Sequence, residues 1–134
     1  MRHALQALAI LAVRPGRSEG LVGIARRFDL PESALAKSFQ SLVRAGVLSS
    51  QRGPHGGYRL DRLPREVTLA EVIEALGGSD RRRGRCLLEE RACPAGGACA
   101  LHDAAVEADK RMLLALRTLT LADLKLHRRA RRPG

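Results

Sequence analysis

Three cysteines and a histidine lie together in the stretch from Cys86 to His102. Six residues separate Cys86 from Cys93, five separate Cys93 from Cys99, and His102 follows three positions after Cys99. These are all the cysteines of the chain. Thiolate sulfur and imidazole nitrogen are donors that both iron–sulfur clusters and zinc accept. The types and spacing of these four residues therefore predict a metal centre.

The sequence between these residues suits a bound metal. Pro94 and the pair Gly96-Gly97 predict a loop, which can bend until distant cysteines converge. A helical pattern begins after Cys99, and it places Cys99 and His102 one turn apart on the same face. The ligand types alone leave four interpretations open: an iron–sulfur cluster, thiol redox sensing without metal, a structural Cys₃His zinc site, or three inert cysteines.

The composition points to a polyanionic partner and to the cytoplasm. The chain has 134 residues, a formal net charge of +10 and a pI near 11.1, which favours nucleic acid or an anionic membrane surface as partner. No run is apolar and long enough to span a membrane, and we expect no signal peptide. The odd cysteine count argues against a disulfide framework and for a reducing cytosol. We find no paired carboxylates, phosphate-binding loop or nucleophile–base set, so we expect no enzyme activity.

The first part of the chain has the pattern of a helix-turn-helix. Apolar residues recur at helical spacing over 2–13 and 22–28, and Pro31-Glu32 begins a third helix that ends at Gly46. The outer face of this third helix carries small polar and basic residues, as helices that contact DNA do. The candidate DNA contacts on it are Ser33, Lys37 and Arg44. An ordinary helical hairpin fits the same pattern.

A glycine-rich hairpin is predicted next. Strands over 47–51 and 58–60 flank the hexamer Arg52-Gly53-Pro54-His55-Gly56-Gly57. Its glycines can adopt positive φ and its proline removes a donor, as expected at a hairpin tip. Such a thin tip can approach a phosphate backbone or enter a minor groove, where an arginine at its base is attracted. We predict a DNA-binding wing formed by Arg52, Gly53, Pro54, His55 and Gly56, with a plain solvated turn as the alternative.

A long helix near the C-terminus carries a heptad seam, because its apolar positions step by four and three. The seam predicts a homodimer interface made by Leu101, Ala105, Ala108, Met112, Ala115 and Leu119. A second apolar stripe, made by Val106, Leu113 and Leu116, can pack on the same chain. Two heads on one dimer match the two half-sites of a palindromic operator. One long core helix in a monomer is the alternative interpretation.

These elements predict a mainly α fold with a small β-hairpin wing. A winged helix-turn-helix domain over 1–64 is followed by a connector helix over 65–80, where Thr68 and Glu71 have the spacing of a capping box. Beyond it we predict a cysteine-rich sensor loop over 81–100, a dimerisation helix over 101–119, and a short helix with a basic tail over 120–134.

From Arg2 to about Leu124 the chain resembles the winged-helix regulators of the IscR/NsrR/RirA type, the Rrf family, which sense through an iron–sulfur cluster. The residues that carry the resemblance are Leu42-Val43-Arg44-Ala45-Gly46-Val47, Arg52-Gly53-Pro54-His55-Gly56-Gly57-Tyr58-Arg59-Leu60, Val67-Thr68-Leu69, Val72-Ile73, and the three cysteines with His102. The resemblance implies that the third helix lies in the major groove with Ser33 and Lys37 facing the DNA, and that Arg52 enters the minor groove.

Two positions qualify what the resemblance implies. Ala36 stands where many relatives have a glutamate, so the operator sequence of a relative does not carry over. Arg2 stands where one branch has an aspartate that ligates a 4Fe–4S cluster, and arginine cannot ligate. His102 matches the histidine that completes a 2Fe–2S centre in the IscR branch. The resemblance therefore favours a 2Fe–2S cluster, while a 4Fe–4S cluster with an exogenous ligand stays open.

The expected function is that of a cytoplasmic DNA-binding transcription regulator, a repressor, acting as a homodimer on double-stranded DNA. An iron–sulfur cluster that responds to nitric oxide, redox state or iron would set its operator affinity. Two alternatives remain: a metal-free regulator of the same fold that senses through thiol redox chemistry, and a basic nucleic-acid-binding module with a structural zinc.

Overall fold

Five helices and one two-stranded hairpin form the part of the chain that the structure describes. The structure is a computed structural model, and it describes residues 1–78 and 99–125. The elements are α1 (Arg2–Val13), α2 (Leu21–Phe28), α3 (Glu32–Arg44), β1 (Leu48–Gln51), β2 (Gly57–Leu60), α4 (Leu69–Ala75) and α5 (Ala100–Thr118). The predicted fold class, mainly α with a β-hairpin wing, is confirmed. None of the described helices is long and apolar enough to cross a membrane.

The turn between α2 and α3 depends on local backbone chemistry. Asp29 has a φ of 52°, a left-handed conformation that aspartate tolerates better than most residues. The N–H of Leu30 donates to the carbonyl of Ala25 at 2.9 Å, which closes α2. Pro31 is the N-cap of α3 and not its first helical residue, because its ψ of 117° is extended. The expected position of Pro31 is therefore wrong by one residue, and α3 begins at Glu32, whose charge suits a helix N-terminus.

The core is centred on Phe39 of α3, which is fully buried. Tyr58 of β2 meets it edge-on, with the ring centroids 4.8 Å apart and the ring planes at 71°. Buried side chains from the other helices and the hairpin complete this core, and Leu116 of α5 packs against it while remaining partly exposed. The largest buried side chains are Leu8, Leu11, Ile24, Leu35, Leu42, Leu48, Leu121, Val47, Val67 and Val72. The helices α1 to α4 and the hairpin, together called the winged head, are thus built around one hydrophobic core. Phe39 of α3 and Tyr58 of the hairpin contact each other within it.

A backbone bridge fixes the C-terminal end of α5 to this head. The N–H of Leu69 donates to the carbonyl of Leu119 at 2.8 Å, and the N–H of Leu121 donates to the carbonyl of Val67 at 3.0 Å. Thr68 and Thr120 are the paired residues of this antiparallel bridge. Leu121 follows at once and is fully buried in the core. The short helix predicted within 120–134 is a single 3-10 turn, Leu121–Asp123, and residues 126–134 lie outside the described part.

Both threonines of the bridge stand at the N-cap position of the turn that follows them. The hydroxyl of Thr68 accepts a hydrogen bond from the N–H of Glu71 at 3.2 Å, and a Glu71 carboxylate oxygen accepts from the Thr68 N–H at 2.9 Å. The predicted capping box is confirmed. Asp123 repeats half of this arrangement, because its carboxylate accepts from the N–H of Thr120 at 2.8 Å. The second oxygen of Glu71 accepts from Arg62 at 2.9 Å, which ties α4 to the end of the hairpin.

We expect Glu71→Gln to reduce the free energy of unfolding by about 1 kcal/mol at pH 7, the usual cost of losing a cap. The N–H of Thr68, followed by the guanidinium of Arg62, holds the pKa of Glu71 below its ordinary value. Because the folded state has the lower pKa, this stabilisation is present above the unfolded-state pKa and is lost as the pH falls through the folded-state pKa. Urea unfolding at several pH values measures it.

The matched control is Glu74→Gln, an exposed glutamate on the same helix for which the described residues provide no side-chain hydrogen bond or ion pair. Its unfolding free energy should stay within about 0.5 kcal/mol of the wild type at neutral pH. A Glu71→Gln variant that matches the wild type at pH 7, or that loses more stability at pH 4 than at pH 7, would contradict the assignment.

Candidate nucleic-acid interface and sensor segment

The exposed face of α3 carries the polar side chains that the sequence singles out. Ser33, Lys37 and Arg44 are all exposed, and so is Gln40 between them. They step by three and four residues and therefore share one side of the helix. The opposite side carries the buried Leu35, Phe39 and Leu42. The fold thus brings the three predicted positions together on one solvent-facing surface.

Local hydrogen bonds organise the second half of this surface. Nη2 of Arg44 donates to the hydroxyl of Ser41 at 3.3 Å, and that hydroxyl donates to the carbonyl of Lys37 at 3.4 Å. Within residues 1–78 and 99–125, no carboxylate lies within ion-pair distance of Lys37 or Arg44. Glu32 in the first turn is the one acid of α3. Among the described residues, the positive charge of this face is therefore not neutralised by an ion pair.

The wing tip is a tight, exposed turn. Residues 52–55 are all exposed, and the N–H of Gly56 donates to the carbonyl of Gly53 at 2.9 Å. Gly53 has a φ of 108°, which disfavours any residue with a side chain. A Cβ at Gly56 would collide with the backbone of Gln51 and Arg52. The glycines therefore let the backbone close on itself, and the five predicted wing residues form one continuous tip that projects Arg52 into solvent.

The base of the wing is held in place by a contact that the sequence analysis missed. The N–H of Glu19 donates to the carbonyl of Tyr58 at 2.9 Å, and the N–H of Tyr58 donates to the carbonyl of Glu19 at 2.8 Å. Gly57 has a φ of 134°, and a Cβ there would collide with the Glu19 carbonyl. The Glu19 carboxylate also pairs with Arg27 of α2 at 3.3 Å. The hairpin is therefore fixed both to α3 and to the segment before α2.

The candidate metal ligands are only partly within the described residues. Cys99 is the N-cap of α5 and is half-buried, and its carbonyl accepts from the N–H of Asp103 at 3.1 Å. His102 lies in the first turn of α5 and is also half-buried. Cys86 and Cys93 lie outside the described residues. Over 1–78 and 99–125, no group of three or more His, Cys, Asp or Glu side chains could hold a metal ion.

The two candidate ligands that the structure describes have compatible chemistry. A thiolate and an imidazole at this spacing lie on the same side of a helical turn, and this donor pair suits both zinc and a 2Fe–2S cluster. Neither side chain is locked away in the core. Cys99 and His102 can therefore serve a common centre, which the two upstream cysteines would have to complete.

The seam predicted on α5 is largely exposed to solvent in the part of the chain that the structure describes. No residue of this 19-residue helix is buried. Leu101, Met112 and Leu119 are 43%, 51% and 40% exposed, respectively. Ala108 and Ala115 between them are exposed as well, and Ala105 is half-buried. Of the second apolar stripe only Leu116 packs against the core, while Val106 and Leu113 stay exposed, so that stripe covers the head at one end only.

Comparisons with known proteins agree with this architecture. The family model described as Rrf2, iron-dependent transcriptional regulator, matches residues 1–126. The protein rrf2 of Nitratidesulfovibrio vulgaris is 34% identical over 101 residues, which cover 75% of this chain and 67% of that one. The resemblance inferred from the sequence is confirmed.

Two solved structures share the fold. The structure of T. potens IscR matches 91% of this chain and 80% of its own, with a TM-score of 0.71 and 28% identity. CymR, described as the global cysteine regulator of B. subtilis, matches 91% of this chain and 89% of its own, with a TM-score of 0.72 and 25% identity. The winged head and the long final helix are thus shared with regulators of two different names.

Proposed function

The chain belongs to the Rrf2 family of transcriptional regulators, and we propose that it binds operator DNA as a homodimer under the control of its cysteine-rich segment. The observation that carries this proposal is the pairing of α3 with a wing that is fixed to it. Both present basic side chains for which the described residues provide no carboxylate. The protein would act in the cytoplasm, as a regulator and not as an enzyme.

The two DNA-facing elements would read different features. We assign α3 to the major groove, where Ser33 and Lys37 reach base edges and Arg44 lies further along the same face. We assign the tip of the wing, Arg52 to Gly56, to the adjacent minor groove. A narrow minor groove has an enhanced negative potential, which attracts an arginine side chain. Domain boundaries follow the proposed roles: a winged helix-turn-helix domain over 1–64, a connector over 65–80, a sensor loop over 81–100, a dimer helix over 101–119, and a final segment over 120–134.

We expect Arg52→Ala to weaken operator binding by about tenfold to a hundredfold, because one arginine contact in a groove accounts for roughly 1–3 kcal/mol. The duplex is obtained by selection from a random library with the wild-type protein, and it should contain an inverted repeat. Fluorescence anisotropy measures the dissociation constants. Arg14→Ala, at an exposed arginine outside α3 and the wing, serves as the control and should bind like the wild type. Equal binding by both variants would remove the wing from the mechanism.

We propose that the exposed seam of α5 forms the dimer interface. It consists of Leu101, Ala105, Ala108, Met112, Ala115 and Leu119. Small alanines between larger residues allow two helices to approach closely. A second copy of the chain would cover an apolar face that its own head leaves open, and it would place two winged heads over two half-sites of a palindromic operator.

We expect Met112→Glu to dissociate this dimer, because a buried and unpaired carboxylate in the seam is strongly unfavourable. Sedimentation equilibrium should show a shift from dimer to monomer, and the affinity for the inverted repeat should fall with it. The control is Lys110→Glu, which makes the same final side chain at an exposed position of α5 outside the seam. A Met112→Glu variant that stays dimeric at micromolar concentration would place the interface elsewhere.

For the sensor, we propose that Cys86, Cys93, Cys99 and His102 hold an iron–sulfur cluster, with 2Fe–2S favoured over 4Fe–4S. Cys99 is the N-cap of α5 and His102 lies in its first turn, and the description of the matching family as iron-dependent supports iron at this site. A bound cluster supplies a centre that oxidants, nitric oxide or iron shortage can alter. The chain's own residues would hold the cluster at the start of α5, where a change in its ligands would shift or tilt this helix. We propose that the protein with its cluster bound acts as a repressor.

A second candidate is a thiol sensor without metal. It is favoured by the likeness to CymR, which is described as the global cysteine regulator of B. subtilis, and Cys99 is only half-buried. In this version the three cysteines respond by forming disulfides or sulfenic acid. A structural zinc held by the same four ligands is the third version, and it would give a basic nucleic-acid-binding module that does not respond to oxidation.

Protein purified without oxygen should absorb visible light and contain stoichiometric iron and sulfide. Cys99→Ser should remove both the colour and the iron, and a Ser38→Ala control should keep them. Colourless protein with bound zinc would support the structural-zinc version instead. Colourless, metal-free protein whose mass changes by the loss of two hydrogens on mild oxidation would support the thiol sensor.

A further inference from the structure

A small depression lies between α3 and the wing. It has a volume of about 330 Å³ and is lined by Gln40, Val43 and Arg44 of α3 together with Ser50 and Tyr58 of the hairpin. It is separate from the tip of the wing and from the first turns of α3. Its position is between the two elements that the proposed function assigns to neighbouring DNA grooves.

The depression is built by matching faces of a helix and a hairpin. Gln40, Val43 and Arg44 follow the three- and four-residue spacing of one helical face. Ser50 and Tyr58 are direct cross-strand partners, so their side chains lie on the same face of the hairpin. The edge-on contact between Tyr58 and Phe39 fixes the orientation of the phenol ring. The walls therefore hold their relative positions without any bound partner.

The lining has the chemistry of an anion site. Val43 is the one apolar member, and the other four side chains carry an amide, a guanidinium and two hydroxyl groups, all of which can donate hydrogen bonds. No carboxylate lines the depression. Arg44 uses one nitrogen to hold Ser41, and no carboxylate among the described residues pairs with it. One guanidinium surrounded by neutral donors matches a group with a single negative charge.

We propose that this depression binds one phosphate of the DNA backbone, on the strand that crosses from the groove read by α3 to the groove entered by the wing. The inference rests on the proposed function and deepens it, because it assigns Gln40, Arg44, Ser50 and Tyr58 a shared ligand. Arg44 supplies the charge, and the neutral donors bind phosphate oxygens. Contacts of this kind fix the register of the protein on the duplex and are independent of base sequence.

Salt dependence provides the test, because each neutralised phosphate releases condensed counterions. The dissociation constants of wild type, Arg44→Gln, Arg44→Lys and Tyr58→Phe are measured from 50 to 300 mM NaCl on two duplexes, the selected inverted repeat and a scrambled sequence. A dimer with two such sites should lose about 1.8 from its slope of log K against log salt in Arg44→Gln. The loss of affinity should be the same factor on both duplexes. Arg44→Lys should keep the wild-type slope.

Tyr58→Phe keeps the ring on Phe39 and removes only the hydroxyl. Because a dimer loses two such hydroxyls, it should bind both duplexes about fivefold to a hundredfold more weakly with an unchanged slope. Arg14→Gln, an exposed arginine outside the interface, is the control for a general change of charge. An unchanged slope in Arg44→Gln overturns the inference. A loss confined to the inverted repeat also overturns it, because Arg44 would then read a base. Wild-type protein that binds neither duplex would overturn the proposed function itself, which is a distinct result.

Discussion

Two backbone hydrogen bonds join the C-terminal end of α5 to the head of the molecule. One links the N–H of Leu69 to the carbonyl of Leu119, and the other links the N–H of Leu121 to the carbonyl of Val67. The helix α5 contributes no buried residue, so side-chain packing alone would hold it weakly. The bridge instead continues directly into Leu121, whose side chain is fully buried in the head. The N–H of each threonine at the centre of the bridge donates to a carboxylate three residues further on, that of Glu71 or Asp123, so the bridge is braced on both sides. The direction in which α5 leaves the head is fixed there.

The bridge joins two parts with different mechanical properties, the long helix α5 and the head. At 1.5 Å per residue, the 19 residues of α5 span about 28 Å, with Cys99 at one end and the bridge at the other. A helix of this length transmits a change at its first turn as a tilt or a shift of the whole element, since stretching it would break its hydrogen bonds. The head, in contrast, has its wing and α3 joined through Phe39, Tyr58 and the backbone of Glu19. It can therefore move as one body without altering the exposed surface that α3 and the wing form together.

Apolar spacing was sufficient to predict the helices that pack into the core, because burying one face of a helix determines the pattern of its sequence. The hairpin was predicted from its glycine-rich turn. The periodicity of Leu35, Phe39 and Leu42 is one example, and Thr68 with Glu71 shows that a cap can be read directly. The pairing of Glu19 with Tyr58 and of Thr68 with Thr120 could not be predicted, since backbone hydrogen bonds between distant segments need no particular side chains. The nearest available signal was the spacing of Thr120 and Asp123, which repeats that of the capping box. For the sensor, ligand types and spacing predicted which residues to consider, and the structure describes two of the four.

Rigid heads and an exposed connecting helix imply how control of DNA binding can operate at low energetic cost. In the proposed homodimer built on α5, each head would make its own phosphate and base contacts, and both sets would form only when the spacing of the heads matches that of the half-sites. A small change in the angle between two α5 helices is amplified over the length of the helix before it reaches the heads. Losing register at one half-site removes part of the total contact energy, and a coupling of 1–3 kcal/mol already changes affinity by about 5- to 150-fold. The proposed sensor at the start of α5 would therefore not need to unfold or reshape the surface formed by α3 and the wing. A sensor there would need only to favour one of two arrangements of the paired α5 helices.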